Sequence, residues 1–597
     1  MGADTPSRRL RTWHIALAAV FLVLLAYGAG SIAYVAAFRG EREPGTIVLA
    51  VPSIMVKEGE LLAGAFTAAD PGSRVLLLDA QGNRLLEGQA GDLEGGAFRP
   101  PSTWPTNESA ALAELLARGT VDYVLAVDDT LAGLRSAGTV LREPRWRFAY
   151  LLSLPFPAVT GALSLPEAEA LLDAKLSGRE VSWPDSRLHV MSLSERAPSA
   201  QLLEVEGVYP TLGSVSDGSY PLTTGVRVVA RRPSGLLGLV SRLPFVRGWA
   251  LSSRPVVGEF EAWLETEEAQ GAFYGTRREV RLTAVGDVML GRGVTRDLLA
   301  SGQGTNYPFG LVADRLKAAD IAFCNLEAPL SLAGTPIPGK MIWLQARPEY
   351  VDCLEKGGID VVGLANNHIL DFDTPGLVET IAVLDKAGIA HCGGGANITE
   401  ARRPAILEAG GLRVAFLAYT EFADEGLFWD YTYRRSFEAT DDIAGCSPLR
   451  MEIIAEDIAS ARERADVVIV TYHWGLEDIP YPQAFNPAND LRDIARRTIA
   501  LGASVVLGTH PHAVQGFELH PSGFVAYSLG NFIMDQRRPT QKESMILEIV
   551  LGDTGVLSAR ALPVWIDTTR PRVLEGEEAS RLLEKFQEIS EPFQDSQ

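Results

Sequence analysis

Short apolar segments in the second half of this sequence end in polar residues of the types that bind metal ions. In residues 504–512, SVVLGTHPH, a β-branched apolar run leads directly to His510, Pro511 and His512. The run predicts a buried strand, and Pro511 prevents the strand from continuing because proline has no backbone N–H donor. Both imidazoles are therefore expected at the C-terminal end of a strand, where open α/β sheets bind ligands. The alternative for this segment alone is a surface turn that contains two histidines.

Four upstream segments have the same form, an apolar run that ends in carboxylate, amide or imidazole side chains. They are 282–285 before Asp287, 319–324 before Asn325 and Glu327, 359–365 before Asn366, Asn367 and His368, and 466–472 before His473. Helical spacing of apolar residues at 377–387 and 491–501 separates them, which predicts βαβ units and a shared sheet edge. Each motif alone is also typical of an ordinary turn, a solvated acid or a packed histidine, and the combination favours a site.

The residue types at these strand ends are those of a divalent metal site. Four of the eight histidines end such strands, together with carboxylate and amide side chains. This mixture of ligands suits divalent Mn, Fe, Zn or Co. Six candidate ligands are more than one tetrahedral ion needs, so a two-metal cluster is predicted. The four cysteines show no CxxC spacing, which argues against a cysteine zinc site.

Length and charge narrow the class of protein. A chain of 597 residues with 47% apolar and 22% charged residues is typical of folded globular protein with several domains. The 54 Lys and Arg residues against 75 Asp and Glu residues give a net charge of −21, which argues against non-specific binding of nucleic acid. An acidic chain would also repel an anionic polymer unless a local positive centre, such as a metal ion, attracted it.

The N-terminus predicts a membrane anchor. Residues 13–38 contain no Lys, Arg, Asp or Glu and follow three arginines, a pattern long enough to span about 30 Å of hydrocarbon as a helix. We therefore expect a cytoplasmic basic tail at 1–12, a single transmembrane helix at 13–38 and a linker at 39–46, with the bulk of the chain outside the cytoplasm. The alternative is a cleaved signal peptide, whose apolar core is usually about 7–15 residues long. With either an anchor or a signal peptide, the bulk of the protein is expected outside the cytoplasm.

Residues 47–275 are expected to form an α/β domain. Strand patterns at 46–51 and 121–127 alternate with helical patterns at 110–118 and 166–176. A strand pattern at 220–230 is followed by an amphipathic helical pattern at 257–271, closed by Gly271. This closing segment resembles that of extracytoplasmic substrate-binding proteins of the phosphate type, which implies a small-anion ligand. A scaffold domain without a ligand is the alternative.

Six motifs occur in fixed order from residue 286 to residue 532. They are GDVMLGR, NLE, NNHxxD, HWG, GTHPH and SLGNF. In this order they resemble the CapA family, which is linked to the synthesis of poly-γ-glutamate capsules, over residues 282–570. The resemblance implies a metallophosphoesterase-like (calcineurin-like) domain over 282–590, a four-layer α/β-β-α sandwich with metal-binding loops at the sheet edges.

The resemblance also implies roles for the motif residues. Six residues would be metal ligands: Asp287 and His512 at the first ion, Asn367, His473 and His510 at the second, and Glu327 bridging them. His368, followed by Asp371, would be the general acid or orient a phosphate group, so these two are the expected catalytic residues. Four further residues are expected to contact the substrate: Asn325, Asn366, Trp474 and Asn531.

Two positions depart from the usual metallophosphoesterase pattern. Met289 stands where the first motif usually carries a histidine, and Glu327 stands where the bridging residue is usually an aspartate. A one-metal site therefore remains an alternative.

The expected reaction is metal-dependent hydrolysis of an anionic substrate, either a phosphoester or poly-glutamate, within polymer synthesis or export. Bound cations lower the pKa of a water molecule towards 7, and His368 protonates the leaving group. The alternatives are a non-catalytic polymer-binding or export factor, and a sensor that binds a small anion through residues 47–275. Expected partners are the polymer or phosphoester, the membrane and other membrane subunits of capsule synthesis, without nucleic acid.

Overall fold

The structure is a computed structural model. It describes residues 46–52, 55–70, 74–78, 106–118, 123–127, 138–142, 146–157, 163–176, 188–197, 199–231, 260, 262–423, 436–520 and 522–594. The transmembrane helix predicted at 13–38 lies outside these residues. Within the described ranges, no helix is long and apolar enough to cross a lipid bilayer.

The first half of the chain, here residues 46–275, contains nine described strands. They are β1 (Thr46–Ala50), β2 (Arg74–Leu78), β3 (Tyr123–Val127), β4 (Gly138–Arg142), β5 (Arg147–Ala149), β6 (Leu151–Pro155), β7 (His189–Met191), β8 (Ala200–Leu202) and β9 (Thr223–Arg231). One sheet has the order β2-β1-β3-β9-β4, with β5 also paired to β9, and a second has the order β7-β6-β8. The helices of this half are Val56–Ala69, Thr106–Arg118, Leu165–Leu176, Leu212–Ser216 and Glu267–Tyr274. The predicted alternation of strands and helices is confirmed for the described elements.

The helix predicted over 257–271 is interrupted in its described part: residues 260 and 262–263 are helical, and residues 264–266 form a turn. A new helix begins after Thr266, whose Oγ1 accepts a hydrogen bond from the Ala269 N–H group at 3.2 Å. It ends at Gly275, which adopts the left-handed conformation (φ 71°) that glycine tolerates. Gly271, which the sequence indicated as the end, lies buried inside this helix, where a Cβ atom would meet the Arg277 side chain.

A sheet of eight strands in the second half of the chain, residues 279–594, carries four of the six motifs. Its strands are β10 (Glu279–Val288), β11 (Ile321–Leu326), β12 (Val361–Gly363), β13 (Ala390–Cys392), β22 (Asn531–Ile533), β23 (Glu543–Gly552), β24 (Gly555–Asp567) and β25 (Arg570–Val573). The order is β13-β12-β11-β10-β23-β24-β25, and β22 also pairs with β10. Because β10 to β13 are parallel, their carboxyl ends reach the same edge.

A sheet of six strands carries the histidine motifs. Its strands are β15 (Ala405–Ala409), β16 (Leu412–Thr420), β18 (Val467–His473), β19 (Val505–Thr509), β20 (Phe517–His520) and β21 (Gly523–Ala526), in the order β15-β16-β18-β19-β21-β20. The short strands β14 (Gly394–Gly395) and β17 (Gly445–Cys446) pair separately. The helices of this half are Arg292–Ala300, Ala313–Lys317, Val351–Gly357, Asp373–Ala387, Ile398–Ala401, Met451–Arg462, Leu491–Ala500, Pro539–Lys542 and Gly576–Gln594.

The two sheets of the second half pack face to face. Successive side chains of a strand point to opposite sides, so Phe416 of β16 joins a core shared with the eight-stranded sheet, while Leu417 packs with the helices Met451–Arg462 and Leu491–Ala500. Phe416 stacks on Phe323 of β11 with ring centroids 5.8 Å apart. The chain is therefore mixed α/β, as predicted. The assignment to the metallophosphoesterase-like sandwich stays a prediction.

The first half also packs against the second. Phe156, which follows β6, belongs to the core of the second half, with ring centroids 5.1 Å from Phe517 and 5.4 Å from Phe524. Glu204 accepts hydrogen bonds from Arg560 at 3.0 Å and from Arg315 at 3.2 Å.

Candidate metal centre

The carboxyl ends of the parallel strands of both sheets meet at one place. Asp287 near the end of β10 is in register with Asn325 of β11. His473, the last residue of β18, is in register with Thr509, the last residue of β19. The segment after β19 then crosses to the other sheet, where the His510 N–H group donates to Asp287 Oδ2 at 3.2 Å. The predicted residues therefore meet between the edges of two sheets, and not at the edge of a single sheet.

Gly286 lets two strands approach closely. A Cβ atom at this position would lie 1.9 Å from the carbonyl oxygen of Gly530, so no larger residue fits without a shift of backbone. This close contact places Asp287 in register with Asn531 of β22. Gly286 does not end the strand, because β10 continues through it to Val288.

The His-Pro-His segment has an unusual backbone. His510 has φ 94° and His512 has φ 56°, in the left-handed region that residues with side chains rarely adopt. Such conformations cost about 1–3 kcal/mol each and persist only where the surroundings enforce them. These conformations bring both imidazoles near Glu327, with His512 Nε2 at 4.0 Å from its Oε1.

Glu327, Asp287 and His512 form the first group of possible ligands. One ligand atom from each lies within 4.8 Å of the others, and all three residues are buried. His512 Nδ1 lies 2.9 Å from Asn531 Oδ1, so that nitrogen carries the donated proton and Nε2 keeps its lone pair for a ligand. Asp287 Oδ1 accepts from Asn325 Nδ2 at 2.7 Å, which leaves Oδ2 on the side of the histidines.

Glu327, His473 and His510 form the second group, which shares Glu327 with the first. His473 Nε2 lies 3.9 Å from Glu327 Oε1, 3.1 Å from His510 Nδ1 and 3.0 Å from Asn367 Oδ1. Four possible ligand atoms thus lie close together. A cation at their centre would satisfy all of them.

The Glu327 carboxylate gives the sharpest test of whether the residues fit a metal. It is fully buried, and neither oxygen has a hydrogen-bond partner among the described residues. Burial and the neighbouring negative charge of Asp287 raise its pKa well above the ordinary value. A buried carboxylate without donors is costly, and coordination of a divalent ion removes that cost. The donor set therefore fits one or two divalent ions bridged by Glu327.

The pKa values of the three histidines differ with their surroundings. Burial and the neighbouring imidazoles lower the pKa of His473 and of His510 well below the ordinary value, which favours the neutral form that binds metals. Burial also acts against a charge on His512, but the carboxylates of Glu327 and Asp287 outweigh it and raise its pKa to about 10. A metal ion bound by His512 would take the place of that proton.

His368 and Asp371, the expected catalytic residues, form a pair beside the two groups. His368 Nδ1 lies 2.7 Å from Asp371 Oδ2, and Asp371 is fully buried, so it positions the imidazole and does not contact substrate. Burial, together with the charge of Lys340, lowers the pKa of His368 against the opposing effect of Asp371. Lys340 was not predicted, because no spacing or periodicity marks it in its Pro- and Gly-containing loop.

The four predicted substrate contacts are buried. The side chains of Asn325, Asn366 and Asn531 are 3% exposed or less. They hold the motifs together: Asn366 Nδ2, for example, donates to Asn325 Oδ1 at 3.2 Å and to the Leu326 carbonyl at 2.8 Å. Trp474, also fully buried, donates from Nε1 to the Tyr527 carbonyl at 2.9 Å. Strand alternation explains its position, because Trp474 follows His473 and points to the opposite side of the sheet.

Two residues after β16 were also missed. The Phe422 ring lies 4.1 Å from the His510 ring, centroid to centroid, and covers one side of the second group. Glu421 is buried and accepts from the N–H groups of Gly475 and Asn486, both at 2.9 Å, which fixes the loop after His473. The sequence gives no sign of either contact, because the segment that contains them has no metal-type spacing.

Comparison with known proteins finds similarity in the second half of the chain. Residues 281–536 match the family model described as bacterial capsule synthesis protein PGA_cap. The capsule biosynthesis protein CapA of Bacillus anthracis is 29% identical over 318 residues, which cover 52% of this chain and 73% of the relative. The PGA biosynthesis protein CapA of Bacillus subtilis (strain 168) is 28% identical over 289 residues, 48% of this chain and 72% of the relative.

Solved structures add little for the first half. An ABC-type phosphate transport receptor from Vibrio cholerae, 10% identical, covers 36% of this chain and 98% of its own, with a TM-score of 0.20. A score this low supports no conclusion, and the resemblance of residues 46–275 to phosphate-binding proteins stays a prediction. The family model and both capsule relatives agree with the six ordered motifs. Residues 281–536 therefore resemble the CapA family of bacterial capsule synthesis proteins.

Proposed function

We propose that this protein takes part in the synthesis of a poly-γ-glutamate capsule or a similar anionic polymer, and that its metal centre hydrolyses an anionic substrate. Its CapA relatives are proteins of capsule and PGA biosynthesis, which supports the pathway. The hydrolytic activity is inferred from the centre itself. The observation that carries it is Glu327, a buried carboxylate without donors that is shared by two groups of ligands.

The proposed ligands are the six predicted from the motifs. Asp287 and His512 would hold one ion, Asn367, His473 and His510 the other, and Glu327 both. When bound, divalent ions lower the pKa of water and polarise the bond that is cleaved. The substrate is proposed to be a phosphoester or poly-glutamate, since both carry the negative charge that the ions attract.

The chain's own groups would supply the proton. His368 keeps a proton on Nδ1 through its hydrogen bond to Asp371, so Nε2 is the nitrogen that exchanges a proton with the leaving group. Burial lowers the pKa of His368, so the ring is largely neutral at pH 7. Nε2 would accept the proton that the attacking water loses as its oxygen bonds to the substrate, and the resulting imidazolium, a stronger acid because of the lowered pKa, would give that proton to the leaving group. Phe422 limits access of water to the side of His510.

Binding of the polymer without cleavage is the second candidate. It is favoured by Met289, which is fully buried at the position where a histidine ligand would be expected, with its sulfur accepting from the Gly291 N–H group at 3.1 Å. The first ion would then have one protein ligand fewer than the second. In both candidates, the N-terminal apolar segment is proposed to anchor the chain, with the metal centre outside the cytoplasm.

The test is elemental analysis of the full-length protein, purified in detergent, after incubation with Mn²⁺ or Zn²⁺ and removal of unbound ions. The H510A/H512A variant is compared with H189A/H520A, a control that removes two histidines outside the centre. Turnover of bis-p-nitrophenyl phosphate is measured on the same samples. We expect about one or two equivalents of metal and measurable turnover in wild type and control, and loss of both in H510A/H512A.

Each other outcome is decisive. Metal without turnover on phosphoesters or on poly-γ-glutamate would favour the polymer-binding candidate. Equal metal content in all three proteins would refute the proposed ligands. No metal in wild type with either ion would leave a CapA-family domain that acts without a metal centre.

A further inference from the structure

Lys340 places a buried positive charge beside the centre. It is 7% exposed, and it is the only buried lysine in the part of the chain that the structure describes. Its ammonium group forms an ion pair with Asp371 Oδ1 and donates a hydrogen bond to the backbone carbonyl of Asn367. None of the six motifs includes Lys340, which lies between the NLE and NNHxxD segments. Burying an ammonium group is costly, so its two contacts call for an explanation.

Asp371 connects Lys340 to the imidazole of His368. Its Oδ1 pairs with Lys340, and its Oδ2 accepts from the Leu344 N–H group at 2.6 Å and from His368 Nδ1 at 2.7 Å. Lys340 Nζ and His368 Nδ1, 3.2 Å apart, are both donors directed at the one carboxylate. The lysine therefore fixes the carboxylate that in turn fixes the ring and its tautomer.

The second contact of Lys340 reaches the metal ligands. Asn367, whose carbonyl accepts from Lys340, has its side-chain Oδ1 at 3.0 Å from His473 Nε2. The Lys340 ammonium group thus contacts both Asn367, which is proposed to bind the second ion, and Asp371, which positions His368. Their relative position depends on a side chain outside the NNHxxD motif, to which both residues belong.

We propose that Lys340 is a positioning residue that sets the orientation of His368 relative to the metal ligands. The proposal rests on the proposed hydrolytic function, because it assigns the role of Lys340 through His368. Lys340 itself is not expected to contact the substrate, since its donors are directed at Asp371 and Asn367.

The experiment compares K340M and K340R with wild type and with K356M, a control at an exposed lysine. The full-length protein is loaded with Mn²⁺, and kcat, KM and metal content are measured with bis-p-nitrophenyl phosphate. K340M is expected to lower kcat about 100-fold, the scale of a misplacement by about 1 Å, with KM and metal content unchanged. K340R is expected to recover part of the lost kcat, and K356M to match wild type.

Crystal structures of wild type and K340M give a readout that does not depend on activity. In K340M, we expect the His368 ring to lose its contact with Asp371 or to occupy more than one orientation. A ring that stays in place would overturn the proposal, as would loss of metal in proportion to kcat, because Lys340 would then support the ligands. If wild type binds Mn²⁺ without turnover, the hydrolase proposal fails for this substrate, and the crystal structures alone decide the role of Lys340.

Discussion

Asn531 Oδ1 lies 2.9 Å from His512 Nδ1, and this contact joins a strand of the eight-stranded sheet to the histidine segment of the other sheet. Asn531 is fully buried, and its amide nitrogen donates to Gln536 Oε1 at 2.6 Å and to the Gln541 carbonyl at 2.9 Å. Since the amide nitrogen has its own acceptors, the amide cannot rotate freely, and its oxygen stays directed at His512. The imidazole tautomer that leaves Nε2 for a metal ion is therefore set by the SLGNF motif.

The variant N531L is expected to weaken metal binding without removing a ligand. Loss of the amide frees the His512 ring to change tautomer and orientation, and removal of such a partner typically costs about 10–100-fold in metal affinity. Competition between the protein and a chelator for Mn²⁺ measures the change. N306L, at an exposed asparagine, is the control. An N531L protein with the affinity of wild type would show that His512 is held by other contacts.

Substitution of the shared carboxylate should affect both groups of ligands. E327Q removes the one negative charge common to them, so we expect less than half of the wild-type metal content and loss of turnover. D287N changes a ligand of the first group only, and H473A a ligand of the second group only. We expect each variant to retain about one ion if the centre binds two. Elemental analysis of the three variants in parallel separates these cases. Full metal content in E327Q would contradict a bridging role.

The strand ends could be predicted from the sequence. Each is marked by features within a few residues: an apolar run, a Gly or Pro that follows it, and side chains of metal-binding type. The face on which a side chain lies was predictable only where the strand register was known, which is why Trp474 was placed beside the substrate and is instead in the core. Lys340 and Phe422 reach the centre through loops whose paths depend on tertiary packing. The need for glycine at position 286 could not be predicted locally, because the Gly530 carbonyl that it approaches lies more than 240 residues away along the chain.

The buried position of Trp474 leads to a prediction about stability. W474F removes the hydrogen bond to the Tyr527 carbonyl and leaves that buried oxygen without its donor, which costs about 1–3 kcal/mol. We expect a lower midpoint in urea unfolding and an unchanged KM, since the indole does not reach the site. W565F, at a partly exposed tryptophan, is the control. A raised KM with unchanged stability would restore Trp474 as a substrate contact.

Phe156 should stabilise the second half of the chain although it belongs to the first. Its ring lies against Phe517 and Phe524, and truncation of a buried Phe to Ala costs about 3–5 kcal/mol. Hydrogen exchange followed by mass spectrometry should show faster exchange in β20 and β21 of F156A. F260A, which truncates a phenylalanine in the core of the first half, should leave these strands unchanged. Equal exchange in F156A and wild type would mean that the Phe156 ring does not stabilise the second half.

Glu58 should make the stability of the first half depend on pH. It is 1% exposed; its Oε1 accepts from Ser194 Oγ at 2.6 Å, and burial raises its pKa from 4.5 to about 7. The folded state therefore binds a proton more tightly than the unfolded state. The stabilisation is complete below pH 4.5, decreases as the pH rises towards 7 and is absent above that value.

The variant E58Q cannot ionise, so it should unfold with less dependence on pH between 5 and 8. At about 1.4 kcal/mol for each pH unit between the two pKa values, the effect amounts to about 3 kcal/mol. Thermal unfolding at pH 5 and pH 8 measures it, with E169Q at an exposed glutamate as the control. We expect E58Q to have the higher Tm of the two variants at pH 8. A wild-type protein whose Tm falls no more than that of E58Q over this range would show that Glu58 is not the group responsible.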